Sequence, residues 1–296
     1  MLASLIKPNL SLLKPIKGKF EDYLERNIER LGSKSKLRDA CEYALLNGGK
    51  RIRPLIVMMT ADALGYGLDV MEATLSVEYF HTASLIADDL PCMDNDDFRR
   101  EKPSVHKMFG ETVALLASYA LISAGYEKIF NSVQVLSRQE RPFGERANEV
   151  CVVALENATR CSGISGATGG QFLDLFPEGS GIEEIREVIY KKTVTLFEVS
   201  FVFGWIFGGG EFRDLEKIKK VARHFGMAFQ IADDLGDVEQ DGEDTLNIAH
   251  CLGVKKAKEF FKEEIEKFTV EMKHLELFTP EFQQVTDFLS HQTKKH

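Results

Sequence analysis

Apolar side chains recur every three or four residues through most of the chain, and strict strand-like alternation is rare. Ala73, Val77, Phe80, Ser84 and Ala87 would descend one helical face, and Phe261, Ile265, Phe268, Met272 and Leu275 another. The pattern predicts long helices over about 72–88, 105–130, 147–161, 182–207, 213–234 and 255–275, hence an all-α bundle whose sites lie between facing helices. The most apolar stretch, 194–210, contains Glu198 and is short for a bilayer crossing, so it reads as a buried helix and no membrane span is expected. With 8 prolines, no low-complexity linker and no repeat, a single domain over 1–296 is the economical expectation.

Composition narrows the class. At 44% hydrophobic and 28% charged, the 296 residues can bury a substantial core, which excludes a disordered or collagen-like chain. Acidic residues outnumber basic ones by 46 to 37, so a broadly basic nucleic-acid binder is not expected. Five cysteines without a C-x-x-C pair suit reduced thiols and a cytoplasmic setting. Lys7, Pro8 and Lys14 interrupt the apolar start, so no export signal is expected.

The excess of acid is concentrated. Asp233 and Asp237 are four residues apart, with Asp234 between them, and at helical pitch the outer pair shares one face. Such a cluster is either a solvated acidic face or a site for a hard divalent cation such as Mg²⁺. The other cluster holds Asp88, Asp89, Asp94, Asp96 and Asp97. Asp88 and Asp94 would diverge on a straight helix, but Pro91 must break the ladder and could return Asp94 to Asp88. Arg99 and Arg100 follow, guanidinium forks suited to diphosphate oxygens. A third element, Gly48-Gly49-Lys50-Arg51-Ile52-Arg53-Pro54, places three cations behind two glycines, either a surface patch or a clamp for a second diphosphate.

These motifs together resemble the trans-isoprenyl diphosphate synthases, the head-to-tail prenyltransferases that include farnesyl and geranylgeranyl diphosphate synthases. The likeness runs from about Leu46 to Asp237 through GGKRIRP at 48–54, HTASLIADDLPCMDNDDFRREKPSVH at 81–106, GGQFLD at 169–174, Lys192-Thr193 and FQIADDLGD at 229–237. The resemblance implies a single polyprenyl synthetase domain of the isoprenoid synthase type, a bundle around a central cavity, and usually a homodimer, for which 114–122 would serve. It implies that Asp88, Asp89, Asp94, Asp233, Asp234 and Asp237 hold about three Mg²⁺ ions on an allylic diphosphate (dimethylallyl, geranyl or farnesyl). It assigns Lys50, Arg53, His81 and Arg100 to isopentenyl diphosphate, and Arg99, Lys192 and Gln230 to the allylic substrate. Thr193 and Gln171 would line the reacting centre.

Chain length is expected to follow from the turns before Asp88. Ala83 stands where relatives stopping at fifteen carbons often carry an aromatic ring, and Phe80 and Tyr79 are bulky enough to close the floor one turn deeper. Geranylgeranyl diphosphate is therefore the expected product, ahead of farnesyl diphosphate. The pattern is departed from at Ala87, at Val194 and after Asp237, where the acidic run 239–244 stands in place of lysines and the next basic residues after it apart from His250 are Lys255 and Lys256. That departure leaves a non-catalytic partner subunit as an alternative. An oxygen-activating carboxylate bundle would use Glu-x-x-His pairs such as Glu78–His81 and Glu271–His274. Cys92 reads as a small filler, and His106 and His224 as helix-surface residues.

Overall fold

The computed structural model describes residues 10–177, 179, 181–238 and 246–294, and among them the fold is helical apart from one short hairpin. In order come α1 (Leu13–Asn27), α2 (Lys36–Leu45), α3 (Ile52–Leu64) and α4 (Met71–Asp88). The hairpin of β1 (Phe98–Arg99) and β2 (Lys102–Pro103) leads into α5 (Val105–Phe109), α6 (Glu111–Ser137), α7 (Ala147–Ser162) and α8 (Ala167–Leu175). Then α9 (Ile182–Ile189) runs through a π-helical turn, Tyr190–Val194, into α10 (Thr195–Phe207). Last are α11 (Leu215–Asp237), α12 (Ile248–Leu252), α13 (Val254–His274) and α14 (Pro280–Gln292). The acidic run 239–244 lies outside the described residues.

Two helices form the inner layer for a compositional reason. Every residue of α10 is buried, as its all-round hydrophobicity requires. Around it pack α3, α7 and α11, with α13 outside α11. Aromatic rings fill that core: Phe197 meets Phe225 edge-on at 5.1 Å, and Phe201 stacks on Phe282 at 6.0 Å. Glu198 is tolerated there because Asn157 donates to it at 2.8 Å and Arg160 pairs with it. The other inner helix, α4, lies along α6, and a second core of Phe20, Leu24, Leu75, Tyr79 and Leu121 joins it to α1, α2 and α6.

The helix expected over 105–130 is interrupted. Gly110 adopts φ 90° and ψ 154°, ending α5 and starting α6 on a new axis. By length and composition α6 is the one helix among the described residues that could cross a bilayer, whereas 194–210 is core. One histidine expected on a helix surface is buried, and the other is half-buried against a carboxylate. His106 is buried and bonded to Ser104 at 3.0 Å, and His224 meets Glu264 at 2.6 Å. Cys92 is exposed instead of filling space.

Candidate functional site

Asp88 ends α4 and Asp89 follows as its cap. Beyond Pro91 the chain doubles back: the Asp94 amide donates to the Asp88 carbonyl at 2.9 Å, and Asn95, at φ 56°, donates to the Leu90 carbonyl at 3.1 Å. The proline thus sets the first cluster side by side. Burial pushes Asp88 up to about 7; Lys192 opposes the shift and Asp94 adds to it. Gln171 donates to Asp94 at 2.9 Å. Arg99 donates through Nε to Asp89 at 2.8 Å and through Nη2 to Asp89 and, at 3.0 Å, to Asp96. Despite burial, Asp89 holds Arg99 above its ordinary value. The guanidinium expected on the allylic diphosphate is therefore committed to lacing the aspartate loop onto α4.

The second cluster sits on the last turns of α11. Asp233 lies 3.8 Å from the Lys50 ammonium; burial raises its pKa, Lys50 opposes this and Asp237 adds to it. Asp234 differs. It is buried, its Oδ1 accepts from Gln230 at 2.8 Å, and its Oδ2 accepts from the Ile248 amide at 2.9 Å at the start of α12. Expected among the metal ligands, Asp234 has both oxygens engaged by protein donors and anchors the next helix. Gln230 also accepts from Thr193 at 2.8 Å, so these two expected substrate residues form one chain with Asp234.

The basic motif divides as well. Gly48 and Gly49 have φ 77° and 114°, and a Cβ on Gly49 would run into the Arg100 guanidinium, which donates to the Gly48 carbonyl. Arg100 and Glu101 are the two central residues of the β1–β2 turn, both at positive φ, as a two-residue hairpin requires but non-glycine residues seldom accept. Arg51, also left-handed, turns inward to Glu78, Glu21 and the Leu45 carbonyl, so the three-cation clamp is two cations, Lys50 and Arg53. Glu78 and Glu271 are each paired with a cation, Arg51 and Lys220. Neither Glu-x-x-His pair is thereby set up as a carboxylate–histidine metal site.

Arg53 stacks 4.3 Å over Phe197, and burial lowers its pKa to about 10. His81 is held well below its ordinary value by burial and by Arg53 and Arg100. Arg53 Nε and His81 Nδ1 are buried with no hydrogen-bond partner. Orphaned buried groups in a cationic setting are what an absent anion leaves behind.

Below the first cluster opens a cavity of about 580 Å³. Asp88, Gln171 and Lys192 stand at its polar end, while Phe80, Ala83, Leu196 and Phe172 are among its apolar walls. Phe80 meets Tyr126 edge-on at 5.0 Å. Tyr79, expected at the floor, is absent from the lining and packs into the second core, because successive helical residues point about 100° apart. Hydroxyls in the wall are spent on backbone: Ser84 donates to the His81 carbonyl at 2.9 Å, Ser118 to Ala83 at 2.9 Å and Ser162 to Ala158 at 2.7 Å. Lys192 projects from the π turn, a local irregularity common at functional sites. It pairs with Asp174, which together with Asp94 and Asp88 keeps it charged despite burial. A Cβ on Gly170 would collide with the Lys192 backbone, so α8 seats against the π turn only because that position is glycine. That close seating was not anticipated; the paired glycines of GGQFLD were its signal.

The donor set fits Mg²⁺ in a particular way. Burial, with Asp94 close by, disfavours the charged form of Asp88 even with Lys192 opposing, so a cation would be stabilising there. Among the described residues no three His, Cys, Asp or Glu side chains converge as a closed metal cage. Mg²⁺ is commonly held by one or two carboxylates plus substrate phosphates and water, which is the open arrangement these residues offer.

Comparison with known proteins agrees with this geometry. The family model described as polyprenyl synthetase matches residues 34–250. The chain is 35% identical over 78% of its length to an Arabidopsis thaliana protein named heterodimeric geranylgeranyl pyrophosphate synthase large subunit 2, and spans 63% of that protein. It thus covers under two thirds of the first curated relatives. Among solved structures, an FPP/GFPP synthase from Zymomonas mobilis superposes with a TM-score of 0.80 at 31% identity, over 95% of this chain and 98% of that one. A geranyltransferase from Legionella pneumophila superposes at 0.79 and 27% identity, over 96% of each chain.

Proposed function

Because the chain belongs to the polyprenyl synthetase family, we propose that it is a prenyltransferase that condenses isopentenyl diphosphate with allylic diphosphates and releases geranylgeranyl diphosphate. The observation that carries this reading is the junction of the Asp88–Asp94 pair, Gln171 and Lys192 with the head of an apolar cavity. Asp88, Asp94, Asp233 and Asp237 would hold Mg²⁺, which when bound supplies positive charge to a leaving diphosphate. Lys192 adds a fixed cation where that negative charge develops. Asp89 and Arg99 act by holding the loop, and Asp234 by holding Gln230 and α12.

Isopentenyl diphosphate is bound by Lys50, Arg53, Arg100 and neutral His81; the buried, unpartnered nitrogens of Arg53 and His81, crowded by the Arg100 charge, call for an anion. Fixing it there supplies proximity and orientation for attack of its double bond on the allylic carbon. The allylic C–O bond breaks to release diphosphate, the isopentenyl double bond closes on the allylic carbon, and the resulting cation loses a proton from the neighbouring carbon to the departed diphosphate. The tail is driven into the cavity by about 0.8 kcal/mol per buried CH₂, until the Phe80–Tyr126 pair stops it.

The whole chain works as one domain, in the cytoplasm, with its thiols reduced, and without a membrane span. Exposed Leu116 and Tyr119 on α6 and Val152 on α7 offer an apolar face for a second copy. Incubation with Mg²⁺, labelled isopentenyl diphosphate and each allylic primer should yield geranylgeranyl diphosphate; no elongation with any primer sinks the proposal. Phe80→Ala should lengthen the product on chromatography, and an unchanged length removes Phe80 as the stop.

A further inference from the structure

One glycine inside the longest helix has no backbone reason to be there. Gly125 lies buried near the middle of α6 and lacks the positive φ that favours glycine, at a position where alanine is the stronger helix former. What the position requires is space. A Cβ on Gly125 would stand 2.7, 2.9 and 3.0 Å from Cε1, Cδ1 and Cζ of Phe80, well inside the roughly 3.5–4.0 Å at which carbon atoms rest. The Phe80 ring is thus seated on bare α6 backbone, with Tyr126 meeting it edge-on at 5.0 Å.

The two helices cannot part cheaply to make room. Ser76 on α4 donates to the Gly125 carbonyl at 2.8 Å, and Ser118 on α6 donates back to the Ala83 carbonyl at 2.9 Å. These buried bonds staple α4 to α6 on either side of Phe80 in sequence. A side chain at position 125 would therefore displace the ring, and the open volume beside it is the cavity that Phe80 lines. We propose that Gly125 is a specificity-determining position for prenyl transfer: its missing side chain lets the Phe80 ring sit back from the cavity, and that recess admits the last five-carbon unit of a twenty-carbon product. Gly125 is absent from the cavity lining and acts through Phe80, as a positioning residue. The product's identity rests on the prenyltransferase reading; the seat of the ring does not.

Gly125→Ala is read by product chromatography with Mg²⁺, labelled isopentenyl diphosphate and dimethylallyl diphosphate as primer. The ratio of fifteen- to twenty-carbon product should rise about tenfold, equivalent to about 1.4 kcal/mol and within the usual cost of overpacking a core. Turnover with dimethylallyl diphosphate should stay near wild type, whereas farnesyl diphosphate, whose longer tail must pass the ring, should be elongated about tenfold more slowly. Phe80→Leu should lengthen the product, and adding Gly125→Ala to it should change the length no further, because the ring that the methyl meets is gone. Melting temperature should follow the same logic: Gly125→Ala lowers it in the wild type and leaves it unchanged or raises it in the Phe80→Leu background. Unaltered product from folded Gly125→Ala, equal slowing with both primers, or the same shortening in the Phe80→Leu background overturns the assignment. If Gly125→Ala does not fold, recovery of folding and of the Phe80→Leu product in the double variant upholds it, and a double variant that also fails to fold overturns it. A wild-type chain that elongates no primer loses the proposed activity, while the melting comparison still decides whether Phe80 is seated on Gly125.

Discussion

The two aspartate clusters are alike in composition and opposite in construction. The first is built by a break: α4 ends, Pro91 turns the chain, and Asp94 is returned to Asp88 over a short loop laced by Arg99. The second is built by regularity, with Asp233 and Asp237 one turn apart on an unbroken helix. In the first, Asp88 faces the cavity head beside Gln171 and Lys192. In the second, the middle aspartate is consumed by the fold, holding Gln230 and the start of α12. Carboxylate density therefore does not specify a role; the available donors around each oxygen do.

Three measurements would break or sharpen that contrast. The largest effect is expected for Asp88→Asn, which should lower kcat by about 10²–10³, the scale of removing one group that supports charge development, while thermal unfolding stays near wild type. An equally large loss of stability would make Asp88 structural and erase the distinction. Next comes Asp234→Ala, which strands the Ile248 amide and Gln230 and should cost about 1–3 kcal/mol in denaturant unfolding. Unchanged stability with lost turnover would place it with the first cluster after all. The third is a pH effect in metal-free protein. Folded Asp88 keeps its proton to about pH 7, whereas an unfolded aspartate releases it near 4. Between those values the folded state binds more protons, so stability should fall as pH rises. Asp88→Asn should flatten that slope, and an unaltered slope would locate the strain elsewhere.

Sequence reading went furthest where a local rule decides. Helical periodicity located the long helices, and the proline rule anticipated the turn between Asp88 and Asp94. It failed where the answer lies across the fold. Arg51 sits among clamp residues in sequence, yet a buried Glu78 on another helix claims it. Tyr79 and Phe80 are neighbours of similar bulk, and only the position of α6 decides which ring meets the cavity. His106 carries no local mark of its burial against Ser104, nor His224 of its pairing with Glu264. Gly110 broke an apolar pattern that periodicity alone would continue.

The serines of the cavity wall have a consequence for how the product can be varied. Ser84, Ser118 and Ser162 return their hydroxyls to backbone carbonyls, so each presents a small and effectively apolar surface that no substrate atom must recognise. Replacement there alters bore and depth without withdrawing a contact from the reacting groups. For the proposed prenyl transfer, product length is thus separable from chemistry, and single substitutions along the wall should change it while the charged end stays as it is.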